Sequence, residues 1–506
     1  MKKIMHSAFL RPGGSKRPRV ERPLSFAKNR VLAAILLTCG TCSLHAQTEG
    51  GTGQTLPKVS IDNVKGTLTQ EEPVEATITI TYSDEATAQN HEESYHCLVK
   101  YRGATSIRFD KKSMRITFLE DQGDGKRDVD LPGLGRTDDN CNLDAVAVDR
   151  SHFRNRLAMD LFNSFSRLPY STSYDGRHGI VGNYVEVWTE GHYAGLYCLT
   201  DRVNRKLLGC KKMKGGALRG IVYKCVSYDK GCYLMSDATE PVEGNDNWNA
   251  WEVKYPNEFP SYIFNPLQQM MDAPWDSVPD EAYNDLVCQH FYWDNLVDIY
   301  LLSIVTGLAD AGYKNCYLSC PDYTKDQHFV ITPWDMDHSF GASYRGVPLM
   351  DPSTLKGQTN WSNTRPFKRL MANVESGFLT SLADRWAALR DGPLSVESVT
   401  QRIYDYANLF DKSGAWQNDR ELWNYNPVTL GETAQDEAAY MAEWYQVNHD
   451  RLDELLLPYQ STGIRSIDNG KWTIDNAWYD VNGRKVANSQ LSKGIYFNGH
   501  KKILIK

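Results

Sequence analysis

The chain has 506 residues, with 56 Lys and Arg against 63 Asp and Glu for a formal net charge of −7. That length exceeds what one hydrophobic core organises, and the acidic balance excludes a general attraction for nucleic acid. The acid excess grows beyond residue 46, where 47 basic residues face 62 acidic ones and the net charge is −15.

The first 46 residues carry nine basic side chains, among them Lys2, Lys3, Arg11, Lys16 and Arg30, against the single acid Glu21. They lead into the apolar run Val31 to Leu37 and then small or polar residues up to Ala46, the order of a secretory signal peptide cleaved after Ala46. The run is far shorter than the roughly 20 residues a membrane helix needs, so no transmembrane segment is expected. Leu36-Leu37-Thr38-Cys39 is an imperfect acylation site, which keeps a lipid anchor or other surface attachment open. Gln47 to Pro57, rich in Gly and Thr, reads as a linker.

From Lys58 the pattern is strand-like. Ala76 to Tyr82 and Ser113 to Phe118 alternate apolar and polar residues at period two, which predicts a half-buried antiparallel sheet. The period then changes: Phe153, Leu157, Ala158, Leu161, Phe162 and Phe165 share a helical face behind Asp149 or Ser151 as N-cap. Strands Tyr184 to Trp188 and Tyr193 to Leu199 follow, joined by a turn at Thr189-Glu190-Gly191. Helices are predicted to predominate from Phe264 to Leu457, the clearest being a core helix from His290 to Leu308. Tyr459 to Gly463 reads as a linker, and the remainder as short strands around Asn-Gly turns.

Eleven cysteines occur, two of them in the leader. The nine that remain match no zinc spacing and read as buried apolar side chains, with one or two disulfides expected in an oxidising compartment.

The residues that could carry chemistry follow the core helix. Asp310-Ala-Gly-Tyr-Lys-Asn315 and Pro333-Trp-Asp-Met-Asp-His-Ser-Phe-Gly341 flank a short predicted hairpin. If Trp334 to Asp337 is extended, Asp335 and Asp337 project to one side. Hard oxygen ligands converging in that way suit magnesium. Asp310 and Asn315 are five apart, the spacing at which a protein-kinase catalytic loop places its hydroxyl-orienting Asp and a metal-holding Asn.

The segments Tyr101 to Ser106, Lys111 to Phe118, Phe153 to Ala158, Gly191 to Tyr197 and Trp334 to Gly341 resemble the successive signature blocks of the CotH (spore-coat protein H) kinase family, in the family's order. The resemblance implies an α+β fold of atypical protein-kinase type with two lobes. A strand-rich N-lobe with an antiparallel sheet is expected over 58–260, a helical C-lobe over 261–458, and after them a linker and β-rich module over 459–506. That module resembles the sorting or attachment modules of exported proteins from Bacteroidetes-type bacteria.

Carried over, the resemblance makes Asp310 the catalytic aspartate and Asn315, Asp335 and Asp337 the magnesium ligands, with Asp335 the principal one. Lys111 or Lys112 would neutralise the phosphates of ATP, Lys112 being preferred because period two puts it on the face of Met114, Ile116 and Phe118. Arg102 and Arg154 are further candidates for phosphate contact. The implied activity is transfer of the γ-phosphate of ATP to Ser or Thr of an exported acceptor protein, with ATP and Mg2+ as cofactors. The chain departs from the family at Asp201, where a glutamate is usual, and at Thr189-Glu190, and it has no Gly-x-Gly-x-x-Gly loop. Two other readings compete: a non-catalytic surface-binding or coat-organising protein, and a metal-dependent phosphoesterase using the same aspartates.

Overall fold

A computed structural model describes residues 55–84, 89–123, 125–170, 176–236, 239–308, 312, 314–342, 360–423 and 431–461, together with the backbone of short strands between 466 and 505. The leader, most of the 47–57 linker and Asp310 lie outside the described residues.

Seven strands close a barrel: β1 (Lys58–Asp62), β2 (Val74–Asp84), β3 (Gln89–Arg102), β4 (Ser113–Phe118), β7 (Asn140–Asp144), β8 (Gly182–Thr189) and β9 (His192–Thr200). They run in the order β1-β2-β3-β4-β7-β9-β8. A small appended pair, β5 (Val129–Asp130) and β6 (Thr137–Asp138), precedes β7. Alternation drives closure. Ile78 and Ile80 on β2, Cys97 and Val99 on β3, Met114, Ile116 and Phe118 on β4, and Leu143 on β7 all point inward and are buried together. Each such aliphatic or aromatic side chain contributes about 1.5–3 kcal/mol on burial.

The expected antiparallel sheet is thereby corrected to a closed barrel, in which β1 lies parallel to β8 with Lys58 opposite Glu186. Closure removes the free edges that an open sheet exposes.

The outer face of β8 and β9 packs on α1 (Arg154–Phe165) through Tyr184, Leu196 and Cys198. The expected N-cap, Asp149 or Ser151, is corrected to Phe153, whose own side chain cannot cap; the two residues act from upstream instead, Asp149 accepting the amide of Arg154 at 2.7 Å and Ser151 Oγ that of Phe153 at 3.2 Å.

A second sheet has the order β11-β12-β10-β13-β14, formed by β10 (Ile221–Cys225), β11 (Asn247–Trp248), β12 (Trp251–Tyr255), β13 (Cys316–Cys320) and β14 (Val330–Pro333). The predicted hairpin is β13–β14, with Cys316 opposite Pro333. Strands from either side of residue 260 pair here, Lys224 facing Tyr317.

The helices are α2 (Asn265–Asp272), α3 (Asp280–His290), α4 (Trp293–Thr306), α5 (Phe367–Ala372), α6 (Phe378–Leu389), α7 (Val396–Ser413), α8 (Ala415–Leu422) and α9 (Ala434–Leu456), of which α4 packs on β14 of this sheet and α8 on β9 of the barrel. The predicted core helix is α4, ended by Gly307 in the left-handed conformation at φ 62°. A capping box of Thr433 and Asp436 starts α9. No helix among the described residues is long and apolar enough to cross a membrane.

In the tail, β15 (Ser466–Asp468) pairs with β16 (Lys471–Thr473), and β17 (Trp478–Asp480), β18 (Lys485–Val486), β19 (Gly494–Asn498) and β20 (Lys501–Ile505) form a sheet in the order β18-β17-β19-β20.

Candidate active site between the barrel and the second sheet

The side chains of the barrel strands that do not point inward make a polar outer wall. On β3 and β4 this wall carries Arg102 and Arg115, since Lys100 lies opposite Arg115 and Arg102 opposite Ser113. Next to them on β7 stand Asn142, opposite Arg115, and Asp144. Thr200 of β9 is opposite Asn142. The second sheet presents Lys224, Tyr317 and Thr332 on one face, because residues directly opposite in an antiparallel pair point the same way.

The two walls meet. The Arg102 guanidinium lies 5.6 Å from the Trp334 ring centre, and Lys224 lies 5.4 Å from Trp334 and 5.8 Å from Tyr317. Arg202, just past β9, donates to Asn140 Oδ1 at 2.8 Å. Four cations therefore converge, and three of them are depressed by burial and by like charge. Burial holds Arg202 down at about 10, helped by the like charges of Arg115 and Arg102. Burial and then Arg102 depress Arg115, and the same two causes depress Lys224. Asp335 opposes the shift of Lys224, so this carboxylate lies within electrostatic reach of the cationic wall.

Arg102 is paired with Asp144. Among the described residues, the buried Arg115 Nε and its cross-strand neighbour Asn142 Oδ1 have no hydrogen-bond partner. A buried, unpartnered polar atom costs about 1–3 kcal/mol. A donor and an acceptor left open side by side in a cationic cleft suit a ligand that carries an anion and a hydroxyl or bound water.

Of the residues singled out in the sequence, Arg102, Asp335 and, beside them, Asn315 come together here. Asn315 is buried, and its amide nitrogen donates to the Asp335 carbonyl at 3.5 Å. The premise that Trp334 to Asp337 is extended is corrected, because β14 ends at Pro333 and Asp335 adopts φ 60°. Aspartate is among the few side chains that tolerate that left-handed region. Asp335 is exposed at the cleft and Asp337 is partly buried, with an oxygen 3.7 Å from His338 Nε2. Asp335, Asp337 and Asn315 offer oxygen donors of the hard type that magnesium takes.

The other basic candidates have protein partners. Lys111 is fully buried, its ammonium 2.6 Å from Asp419 Oδ1 of α8, also bonded to the Leu196 carbonyl and 4.5 Å from the Tyr197 ring centre. His152 Nε2 is 3.3 Å from the other Asp419 oxygen. Burial brings Lys111 down to about 8 despite Asp419. Burial alone would raise Asp419, but Lys111 and His152 outweigh it and hold the acid at about 2.

Gly195, in the block Gly191 to Tyr197, makes this junction possible. It has φ +116°, and a Cβ there would sit 2.2 Å from Asp419 Oδ1. Lys112 donates to the Ile107 carbonyl at 2.7 Å and to that of Phe109. Arg154 is buried between Asp149, at 2.9 Å, and Glu437 of α9, at 3.3 Å. Asp201, the departure from the family glutamate, accepts from Arg136 at 3.1 Å and from the Val181 amide at 2.9 Å.

Arg115, Arg202, Lys224 and Tyr317 were not singled out in the sequence. Arg115 was legible as the charged outward residue of a strand whose alternate positions are apolar, whereas Arg202 and Lys224 join the site only through tertiary packing.

Fold and site together define an α+β protein with a cationic, aromatic-walled cleft beside carboxylates, suited to holding a polyanion. The CotH kinase protein family matches residues 99–452, well over half of the chain, and the chain belongs to that family. No curated protein matches the sequence.

Proposed function

We propose that this protein is an exported phosphotransferase that moves the γ-phosphate of ATP, with magnesium, to a Ser or Thr hydroxyl of another exported protein. The observation that carries the reading is the convergence of Arg102, Arg115, Arg202 and Lys224 beside Asp335, in a member of a kinase family. A polyphosphate relieves the repulsion among these cations, and Asp335, Asp337 and Asn315 would hold magnesium, which would supply neutralisation of the remaining phosphate charge. Trp334 and Tyr317, packed edge to face at 5.6 Å, give the cleft aromatic surface against which a base can pack. Asp310 accepts the proton of the attacking hydroxyl as its oxygen bonds to the γ-phosphorus and ADP departs. Catalysis on this reading is positioning and charge neutralisation. The leader supports export, and the β-rich tail is proposed as the attachment module.

The test is transfer of label from γ-labelled ATP to Ser or Thr of a protein acceptor, or of the chain itself. Asp310→Asn keeps nucleotide binding and abolishes transfer. Binding without transfer in the wild type would favour the non-catalytic surface-binding reading, and phosphate release without an acceptor the phosphoesterase reading.

A further inference from the structure

The described cysteines are all free thiols, and two of them stand against each other behind the cleft. β10 and β13 run antiparallel with Lys224 opposite Tyr317. One residue further along, Cys225 comes opposite Cys316, and alternation turns both thiols away from the cleft, into the core that also contains Trp251. Opposed residues on antiparallel strands have Cα atoms roughly 4.5–5.5 Å apart, inside the disulfide range of roughly 4.4–6.8 Å. The contact registers in the chemistry: the Cys316 thiol, followed by burial, is the strongest influence holding Cys225 protonated. Cys232 is close enough that Cys225 acts on it as well, after burial.

The other buried cysteines are placed differently. Cys97 on β3 and Cys141 on β7 are separated by the whole of β4, roughly 9.5 Å across two strand spacings. The Cys210 thiol points to the Ile221 carbonyl, and that of Cys320 to the Asp326 carbonyl.

We propose that Cys225 and Cys316 are a modification site, joined as a cross-strand disulfide when the chain folds under oxidising conditions. Cys225 and Cys316 each give up a hydrogen, and a small-molecule disulfide such as oxidised glutathione takes both and leaves as two thiols. Both thiols are buried, so the bond closes during folding, before the helices cover this face. It staples the strands that carry Lys224 and Tyr317 to the cleft, and it lies one residue from Asn315. The inference is independent of catalysis, and export of the chain would supply the oxidising compartment.

The experiment refolds the full chain from denaturant, once in a glutathione redox buffer and once in excess reductant. Each sample is then alkylated under denaturing conditions without reductant, and its peptides are mapped by mass spectrometry. The expected result is a Cys225–Cys316 linked peptide, two hydrogens lighter than its free parts, in the oxidised sample alone, with Cys97 and Cys141 alkylated in both. The oxidised protein should also melt roughly 5 °C or more above the reduced one, and Cys316→Ala should remove that difference. If the variant fails to fold, the comparison of the two wild-type samples decides. Full alkylation of Cys225 and Cys316 in the oxidised sample, or a Cys225–Cys232 link in place of the expected one, overturns the proposal.

Discussion

Replacing Lys111 by Met separates a structural lysine from a nucleotide-binding one. The Lys111 and Asp419 side chains are both fully shielded from solvent, so the variant leaves a carboxylate in the interior without its cationic lysine partner, although His152 and the Leu196 amide remain beside it. Removing one partner of a buried ion pair costs about 3–5 kcal/mol. The Leu196 carbonyl also loses its lysine donor, about 1 kcal/mol more. At about 2–3 °C per kcal/mol for a large domain, a total of about 4–6 kcal/mol lowers the Tm by about 10 °C or more. The pair variant Lys111→Met/Asp419→Asn removes both charges while an amide still accepts the Leu196 N–H that now bonds Asp419 Oδ1 at 2.8 Å. It should recover most of the loss, giving a coupling of at least about 2 kcal/mol in a double-mutant cycle. The assay is urea unfolding of the four proteins, run beside calorimetric titration with ATP and magnesium. A Lys111→Met protein as stable as the wild type but unable to bind ATP would refute the reasoning and return Lys111 to the nucleotide site.

Acid should weaken the fold through His178, which accepts from Ser166 at Nδ1, donates to the Ile331 carbonyl at Nε2, and is brought by burial from 6.5 to about 4. The unfolded chain therefore binds the proton more readily, so this contribution is complete above pH 6.5 and is lost as the pH falls towards 4. By pH 5 the loss is about 2 kcal/mol, and His178→Gln should flatten the slope of urea stability between pH 7 and 5. An unchanged slope would show that other groups set the acid response. Gly195→Ala should prevent the junction of barrel and α8 from closing, through backbone strain and the clash with Asp419, and appear as insoluble or strongly destabilised protein. A soluble Gly195→Ala protein with wild-type Tm would show that α8 moves aside at little cost.

Much of the fold could be read from local pattern. Period two marked β2 and β4, and helical spacing marked α1 and α4, because each buries one regular face. Barrel closure was not legible, since the closing pair sets Lys58 against Glu186, far along the chain, and no local signal specifies a parallel partner. The site divided along the same line. Asn315 and the aspartates around Met336 came from motif spacing. Lys111 was legible as basic, but its role was not, because Asp419 reaches it from a helix more than 300 residues away. Arg202 and Lys224 belong to the cleft only because two sheets face each other. The extended reading of Trp334 to Asp337 failed on a single left-handed residue, which alternation cannot foresee.

The central claim is that the cleft between the barrel and the second sheet holds the phosphates of a nucleotide. Its most direct test is calorimetric titration of ATP into the protein from Gln47 onward, with and without magnesium, for the wild type, Arg115→Met, Arg202→Met and Asp335→Ala. The account predicts magnesium-dependent binding to the wild type. Either arginine variant should bind at least about tenfold more weakly, since a hydrogen bond to a charged group contributes about 1.5–3 kcal/mol, and Asp335→Ala should lose the magnesium dependence. Wild-type affinity in both arginine variants, or no heat of binding to the wild type with magnesium present, would contradict it.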